Sequence, residues 1–172
     1  MELQKEDIYL RPITENDTQM VLQWRNSDGV KRFFLYRQDI TPEVHTQWMR
    51  EKVEKGLVYQ FIIVIRESEM PIGSVYIQHI DQVNQNAEFG IFIGETSALG
   101  HGYGTMAAEL MIRFAFTKLG LHKLYLRVLS DNIRAIRSYH HVGFSTEGNL
   151  KDEVCIDGIF HDVTRMSIIN GA

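Results

Sequence analysis

Residues 97–111, SALGHGYGTMAAELM, set glycine at 100, 102 and 104 and then run directly into a helix-forming stretch. The segment before them, NAEFGIFIG (86–94), reads as a strand, and HKLYLRVLS (122–130) reads as another. A strand, a nearly bare turn, a helix and a second strand in that order form a parallel crossover. That unit demands a mixed α/β sheet and constrains everything placed around it.

The flanking segments fit such a sheet. IYLRPI (8–13) is a first strand. ITENDTQMVLQWRN reads as a helix with Thr14 as its cap and Met20, Val21 and Trp24 on one face. TPEVHTQWMREKVEKG (41–56) repeats the pattern, with Thr41 as cap, Pro42 at the first helical position and Gly56 as the stop. YQFIIVIRE (59–67), PIGSVYIQHID (71–81) and the 86–94 strand form an antiparallel meander. After the glycines a helix runs from about Thr105 to Lys118, with Met106, Leu110, Met111 and Phe114 at helical spacing. DNIRAIRSYHHVG (131–143) is a short helix capped by Asp131 or Asn132 and stopped by Gly143. The tail, DEVCIDGIFHDVTRMSII, gives two strands around Asp157-Gly158, a type I′ hairpin signal. The expected fold is α/β (mixed): a mostly antiparallel sheet with a parallel crossover at its centre and flanking helices. No repeat or linker divides the chain, so residues 1–172 are expected to be a single domain.

A formal net charge of -4 argues against wholesale binding to nucleic acid or an anionic membrane. The longest apolar run, FIIVI at 61–65, is far too short to span a bilayer. The opening MELQKEDIYL lacks the layout of a signal peptide, and a single cysteine, Cys155, permits no internal disulfide. A cytoplasmic location is the expectation.

A helix start offers unpaired N–H groups and the positive end of the helix dipole, and glycines let a phosphate approach closely. The 99–105 loop is therefore either a phosphate cradle or simply a tight turn. Two common nucleotide sites fail here. A P-loop needs lysine before the Ser/Thr, and Gly104-Thr105 has none; a dinucleotide fingerprint needs G-x-G-x-x-G, and the spacing here is G-x-G-x-G. No histidine shows metal-ligand spacing, and Cys155 has no partner at a zinc spacing, so no metal is expected.

LGHGYGT after AEFGIFIG, followed by DNIRAIRSYHHVGF, resembles the GNAT superfamily of acyl-CoA-dependent N-acetyltransferases. The family's pyrophosphate loop, Q/R-x-x-G-x-G/A, is met here by Leu99, Gly102 and Gly104, with leucine in place of the polar residue. The second signature, Asn-x-x-Ala-x-x-x-Tyr-x-x-x-Gly-Phe, is met in full by Asn132, Ala135, Tyr139, Gly143 and Phe144. The resemblance implies a sheet whose central parallel strands splay. It implies acetyl-CoA as co-substrate, with the backbone of Ile91, Phe92 and Ile93 pairing the pantetheine arm. Leu99, Gly100, His101, Gly102, Tyr103, Gly104 and Thr105 would hold the pyrophosphate, and Asn132 would face the pantetheine. Arg134 and Arg137 are candidates for the 3′-phosphate, or simply exposed arginines.

The implied reaction is attack of a neutral amine on the thioester. An alkyl amine of pKa about 10 must first lose a proton, and the departing thiolate leaves more easily if it gains one. By resemblance Tyr139 is the general acid; the bland alternative is a packed helix tyrosine. Glu88 is the candidate base, reaching the amine through water, or else a paired strand carboxylate. The acceptor side is expected in the early helices and their loop, which carry Trp24, Arg25, Asn26, Phe33, Phe34, Tyr36, Asp39, Glu43, His45 and Trp48. Trp24 and Trp48 also fit apolar helix faces. LQWRN resembles the branch acetylating amino-deoxysugar nucleotides, whereas the overall layout resembles the ribosomal-protein N-terminal and spermidine branch. The expectation is an N-acetyltransferase acting on a small-molecule or peptide amine in a ternary complex. The alternative is a non-catalytic acyl-CoA-binding sensor. A homodimer is compatible with either.

Overall fold

A computed structural model describes residues 3–171. The elements are β1 (Ile8–Pro12), α1 (Thr18–Asn26), α2 (Asp28–Lys31), α3 (Pro42–Trp48), β2 (Tyr59–Ile65), β3 (Met70–Asp81) and β4 (Asn86–Ile93). They are followed by α4 (Tyr103–Thr117), β5 (Lys123–Leu129), α5 (Ile133–His141), β6 (Ser145–Ile156) and β7 (Ile159–Ile169). The strands form one seven-stranded sheet in the order β1-β2-β3-β4-β5-β7-β6. Every neighbouring pair is antiparallel except β4 and β5. The expected mixed sheet with a parallel centre is what the chain forms.

Alternation along the strands divides the apolar side chains between two faces. Phe61 and Ile63 of β2, Ala87 and Phe89 of β4, and Leu124, Leu126 and Val128 of β5 pack on one face with Ala107, Leu110 and Met111 of α4. Ile62 and Val64 point to the other face and meet Val21, Trp24 and Met49. The run FIIVI is thus continuous because β2 is covered on both sides, not because it nears a membrane span. Among the described residues no helix is long and apolar enough to cross a membrane.

Several boundaries differ from the sequence expectation. The first helix opens with a 3-10 turn (Glu15–Asp17) before α1. The second ends at Trp48 and passes into a π-turn (Met49–Val53). α4 starts at Tyr103, two residues early, because Gly102 takes a left-handed φ of 81° and so closes the turn there. β6 begins at Ser145 rather than near Asp152. Its register with β7 shifts between Thr146 and Gly148 and again between Leu150 and Val154, which erases the alternation that marks a strand in sequence. Asp157 and Gly158 both have positive φ (51° and 81°), as a type I′ turn requires.

The Thr14 cap is built by Asp17, whose Oδ2 accepts from the Thr14 amide (2.8 Å) and hydroxyl (3.0 Å). Arg11 grips the same carboxylate with both Nη atoms, at 2.8 and 2.6 Å. Burial pushes the Asp17 carboxyl up, but the bonds from Arg11 and Thr14 outweigh it and hold it below the ordinary carboxylate range. A carboxylate with a depressed folded pKa stabilises above its unfolded pKa of about 4, and that contribution is lost as pH falls through the folded value. Asp17→Asn is expected to cost about 2 kcal/mol at pH 7, since it breaks charge-assisted bonds to a largely buried group. Urea unfolding at pH 7 and pH 3 checks this: the gap between variant and parent narrows at the lower pH.

Candidate active site

β4 and β5 pair over only three positions: Asn86 with Lys123, Ala87 with Leu124 and Glu88 with Tyr125. Beyond that, β4 stays paired with β3 as far as Ile93, and β5 stays paired with β7 as far as Leu129. The two strands therefore splay from Glu88 onward. From Phe89 to Ile93, β4 turns an unpaired, half-buried backbone edge to the gap, an edge open to a further hydrogen-bonding partner. An extended chain with amide groups fits it. Ile91 and Ile93 pack into the α4-side core, while Phe92 points the opposite way against Trp24 (6.5 Å) and Phe34 (5.8 Å). Core packing by side chain and pairing by backbone are thus both available at these three residues.

The end of β4 is pinned by the Gly94 and Glu95 amides, which both donate to the Ile72 carbonyl (2.8 and 3.1 Å). The chain then turns through Thr96–Ala98 into the glycine loop. Gly100 and Gly102 carry φ of 86° and 81°, conformations that other L residues rarely adopt, with open space where a side chain would stand. Among the described residues no backbone carbonyl accepts a bond from the amides of residues 100–105. These N–H groups and the α4 dipole form an anion nest. Leu99 is exposed, His101 stacks on Tyr103 (5.7 Å), and Gly104 and Thr105 are half-buried in the first turn. Such a nest offers main-chain donors of the kind that can take a pyrophosphate, and Leu99 adds no polar side chain to them.

α5 stands on the same face as α4. Asn132 caps it, its Oδ1 accepting from the Ala135 amide at 3.2 Å. Arg134 and Arg137 are exposed along it. Tyr139 lies half-buried, edge-on to Phe89 (6.3 Å) and Phe144 (5.9 Å). Burial pushes its phenol up to about 12. Its hydroxyl has no hydrogen-bond partner among the described residues.

Glu88 points to the opposite face of β4 and is 7% exposed. Its Oε2 accepts from His79 Nδ1 (2.7 Å) and Gln78 Nε2 (3.3 Å), and its Oε1 accepts from Arg127 Nε (3.2 Å). The carboxylate accepts only, so the His79 proton sits on Nδ1. Gln78, His79 and Arg127 were not foreseen. Gln78 faces Glu88 across the β3–β4 register, and His79 reaches it because β3 bulges there with a His79 φ of 52°. Neither a register nor a bulge is written in the sequence.

The acceptor-side residues divide into structural and exposed groups. Trp24 is buried and donates to Glu95 Oε1 (2.7 Å). His45 is buried between Thr18 (3.0 Å) and the Trp48 ring (5.6 Å), and burial lowers its pKa. Both belong to helix packing, not to a substrate wall. Asn26 closes the loop before α3 with two 2.9 Å bonds to the Ile40 backbone. Arg25 lies 3.7 Å over the Phe34 ring and donates from Nη2 to the Tyr36 carbonyl. Phe33 and Tyr36 are exposed at the loop's tip. Among the described residues no three His, Cys, Asp or Glu side chains are grouped to hold a metal ion.

Residues 7–145 match the acetyltransferase (GNAT) domain family. Spermidine N(1)-acetyltransferase of Escherichia coli K12 is 33% identical over 94% of this chain and 85% of the relative. A putative ribosomal N-acetyltransferase of Bacillus subtilis, YdaF, is 27% identical over 78% of this chain and 69% of its own. Spermidine N-acetyltransferase of Vibrio cholerae, solved in complex with CoA and spermine, superposes with a TM-score of 0.89 at 25% identity, covering 96% of both chains. The same enzyme, solved as a dodecamer, superposes with a TM-score of 0.81 over 96% of this chain and 95% of that one. A splayed parallel pair, an anion nest opening α4 and a match spanning most of the sequence agree: the chain belongs to the GNAT family of acetyltransferases and is an N-acetyltransferase that draws on acetyl-CoA.

Proposed function

We propose that residues 1–172 act as one domain that acetylates a primary amine through Glu88 and Tyr139, in a ternary complex without an acetyl-enzyme. The observation that carries this is their arrangement: they lie on opposite faces of β4, at the point where β4 and β5 part. The gap is the passage between the faces. The nest at 99–105, the β4 edge at Ile91, Phe92 and Ile93, and Asn132 belong to the α4–α5 side and would hold acetyl-CoA. The amine enters from the α1–α3 side. Glu88 takes a proton from the amine through water, and the nitrogen lone pair attacks the thioester carbonyl carbon. As the carbon–sulfur bond breaks, Tyr139 donates its proton to the sulfur, and the second proton that the nitrogen sheds as the amide forms passes to water, from which the phenolate is reprotonated. A phenol at about 12 is fully protonated at neutral pH, as an acid must be. A sensor that only binds acetyl-CoA has no use for this pairing and is the less favoured reading.

The acceptor we infer is a small cationic amine of the polyamine class. The spermidine acetyltransferases among the relatives support it, as do the exposed aromatic side chains Phe33 and Tyr36, which suit an alkylammonium. The dodecameric relative supports an assembly of several copies rather than a monomer. A second reading, an amino sugar, is favoured by one observation: Lys31 already neutralises Asp39 at 2.6 Å, which takes a carboxylate away from a polycation. A thiol-release assay with acetyl-CoA and spermidine, N-terminal peptides, amino sugars or aminoglycosides decides. Spermidine is expected to give the highest kcat/KM. A higher value for an amino sugar selects the second reading. No release with any amine, despite acetyl-CoA binding, restores the sensor.

A further inference from the structure

The register of β3 with β4 sets Tyr76 opposite Gly90, two residues from the Gln78–Glu88 pair and therefore on the same face as Glu88. A Cβ built on Gly90 would stand 2.1 Å from Tyr76 Cζ and 2.3 Å from its hydroxyl oxygen. The tip of the Tyr76 ring thus fills the space that a side chain at position 90 would take. Glycine inside a strand costs about 0.5–1 kcal/mol, and here that cost seats a phenol. The seat lies two residues beyond the last β4–β5 pair, where the gap opens. The charges and dipoles felt at its hydroxyl come from Tyr139, Glu88 and Arg25, groups on both sides of the gap. Burial first, then Tyr139 and Glu88, raise its pKa well above the ordinary phenol value, with Arg25 opposing. It is a neutral group at every working pH. Its hydroxyl has no hydrogen-bond partner among the described residues.

The oxygen is not one of the fully buried polar atoms without a partner, so solvent reaches it and a ligand can take the place of that water. We propose that Tyr76 is a further catalytic residue, whose phenol oxygen accepts an N–H of the incoming amine and turns the nitrogen lone pair toward the thioester. No proton moves to or from Tyr76. The ammonium gives one proton to Glu88 and holds one of its two remaining N–H groups on Tyr76. This inference rests on the N-acetyltransferase reading and deepens it by naming how the acceptor is oriented.

Tyr76→Phe keeps the ring over Gly90 and removes only the oxygen. The expected result is about a tenfold fall in kcat/KM for the acceptor, the effect of one lost hydrogen bond. The acetyl-CoA KM, the slow hydrolysis of acetyl-CoA without amine, and Tm stay at parent values. Gly90→Ala drives a Cβ into the ring and is expected to reproduce the acceptor loss, while adding less than twofold in the Tyr76→Phe background. Parent-like acceptor kinetics in Tyr76→Phe overturn the proposal. So does an equal fall in the amine-independent hydrolysis, which would make the residue part of the acetyl-CoA site. The unmodified enzyme is the control that separates the two layers. If it turns over no amine, the N-acetyltransferase reading fails and takes this one with it; if it turns over and Tyr76→Phe matches it, only this one fails.

Discussion

Tyr139→Phe is expected to lower kcat by about 10²- to 10³-fold while leaving the acetyl-CoA KM within about twofold of the parent, the range for loss of a general acid. The split between the two constants follows from the geometry. The ring is held by edge contacts to Phe89 and Phe144, which phenylalanine at 139 keeps. The hydroxyl makes no bond among the described residues, so its removal strands no polar group there. Tm should therefore stay level or rise slightly. The pH profile adds a second check. A phenol at about 12 stays in its acid form across pH 6–10, so the acid contributes equally throughout that window. The variant should lose rate by the same factor at each pH, giving parallel curves. Unchanged turnover with the true acceptor would remove Tyr139 from the mechanism, and curves that converge would assign it a different proton.

The contrast between what could and could not be read from the chain is physical. Spacing along one segment is legible. The Thr41–Pro42 helix start, the Asp157-Gly158 turn and the helix after the glycines each depend on residues a few positions apart. The order strand, bare turn, helix, strand also sufficed to place a parallel pair at the centre. What the chain does not display is anything set between distant segments. Gln78, His79 and Arg127 converge on Glu88 from β3 and β5, through a register and a bulge that local spacing does not encode. Tyr76 reads as one more alternating strand residue until Gly90 is found opposite it. The same limit hid the first half of β6, where two register shifts scramble the period of two. His45, which looked like an acceptor-wall side chain, was misplaced because helix spacing cannot say which polar residue a neighbouring helix will bury. Asn132 is readable as a cap by sequence, and its Oδ1 is spent on that role.

Glu88→Gln is the sharper test of the site, because its effect must depend on pH. Glutamine keeps the shape and can still accept from Arg127, but it cannot take a proton. At pH 7 an alkyl amine of pKa about 10 is almost wholly protonated, and deprotonation must happen in the site. There the variant is expected to fall by about 10²- to 10³-fold in kcat, the range for a general base. As the pH approaches 10, solvent removes the proton before the amine binds, and the need for Glu88 fades. The ratio of parent to variant rate should therefore shrink steadily from pH 7 to pH 10, unlike the parallel curves of Tyr139→Phe. The substitution also turns an amide N–H toward the donors His79 and Gln78, so a stability loss of about 1 kcal/mol accompanies it. That loss is separable, since it is read from Tm and not from the ratio of rates. Steady-state rates for both proteins at saturating acetyl-CoA, taken at half-unit steps, decide the matter. A ratio that stays flat across the range would make Glu88 a paired carboxylate that orders Gln78, His79 and Arg127, with the amine losing its proton by another route.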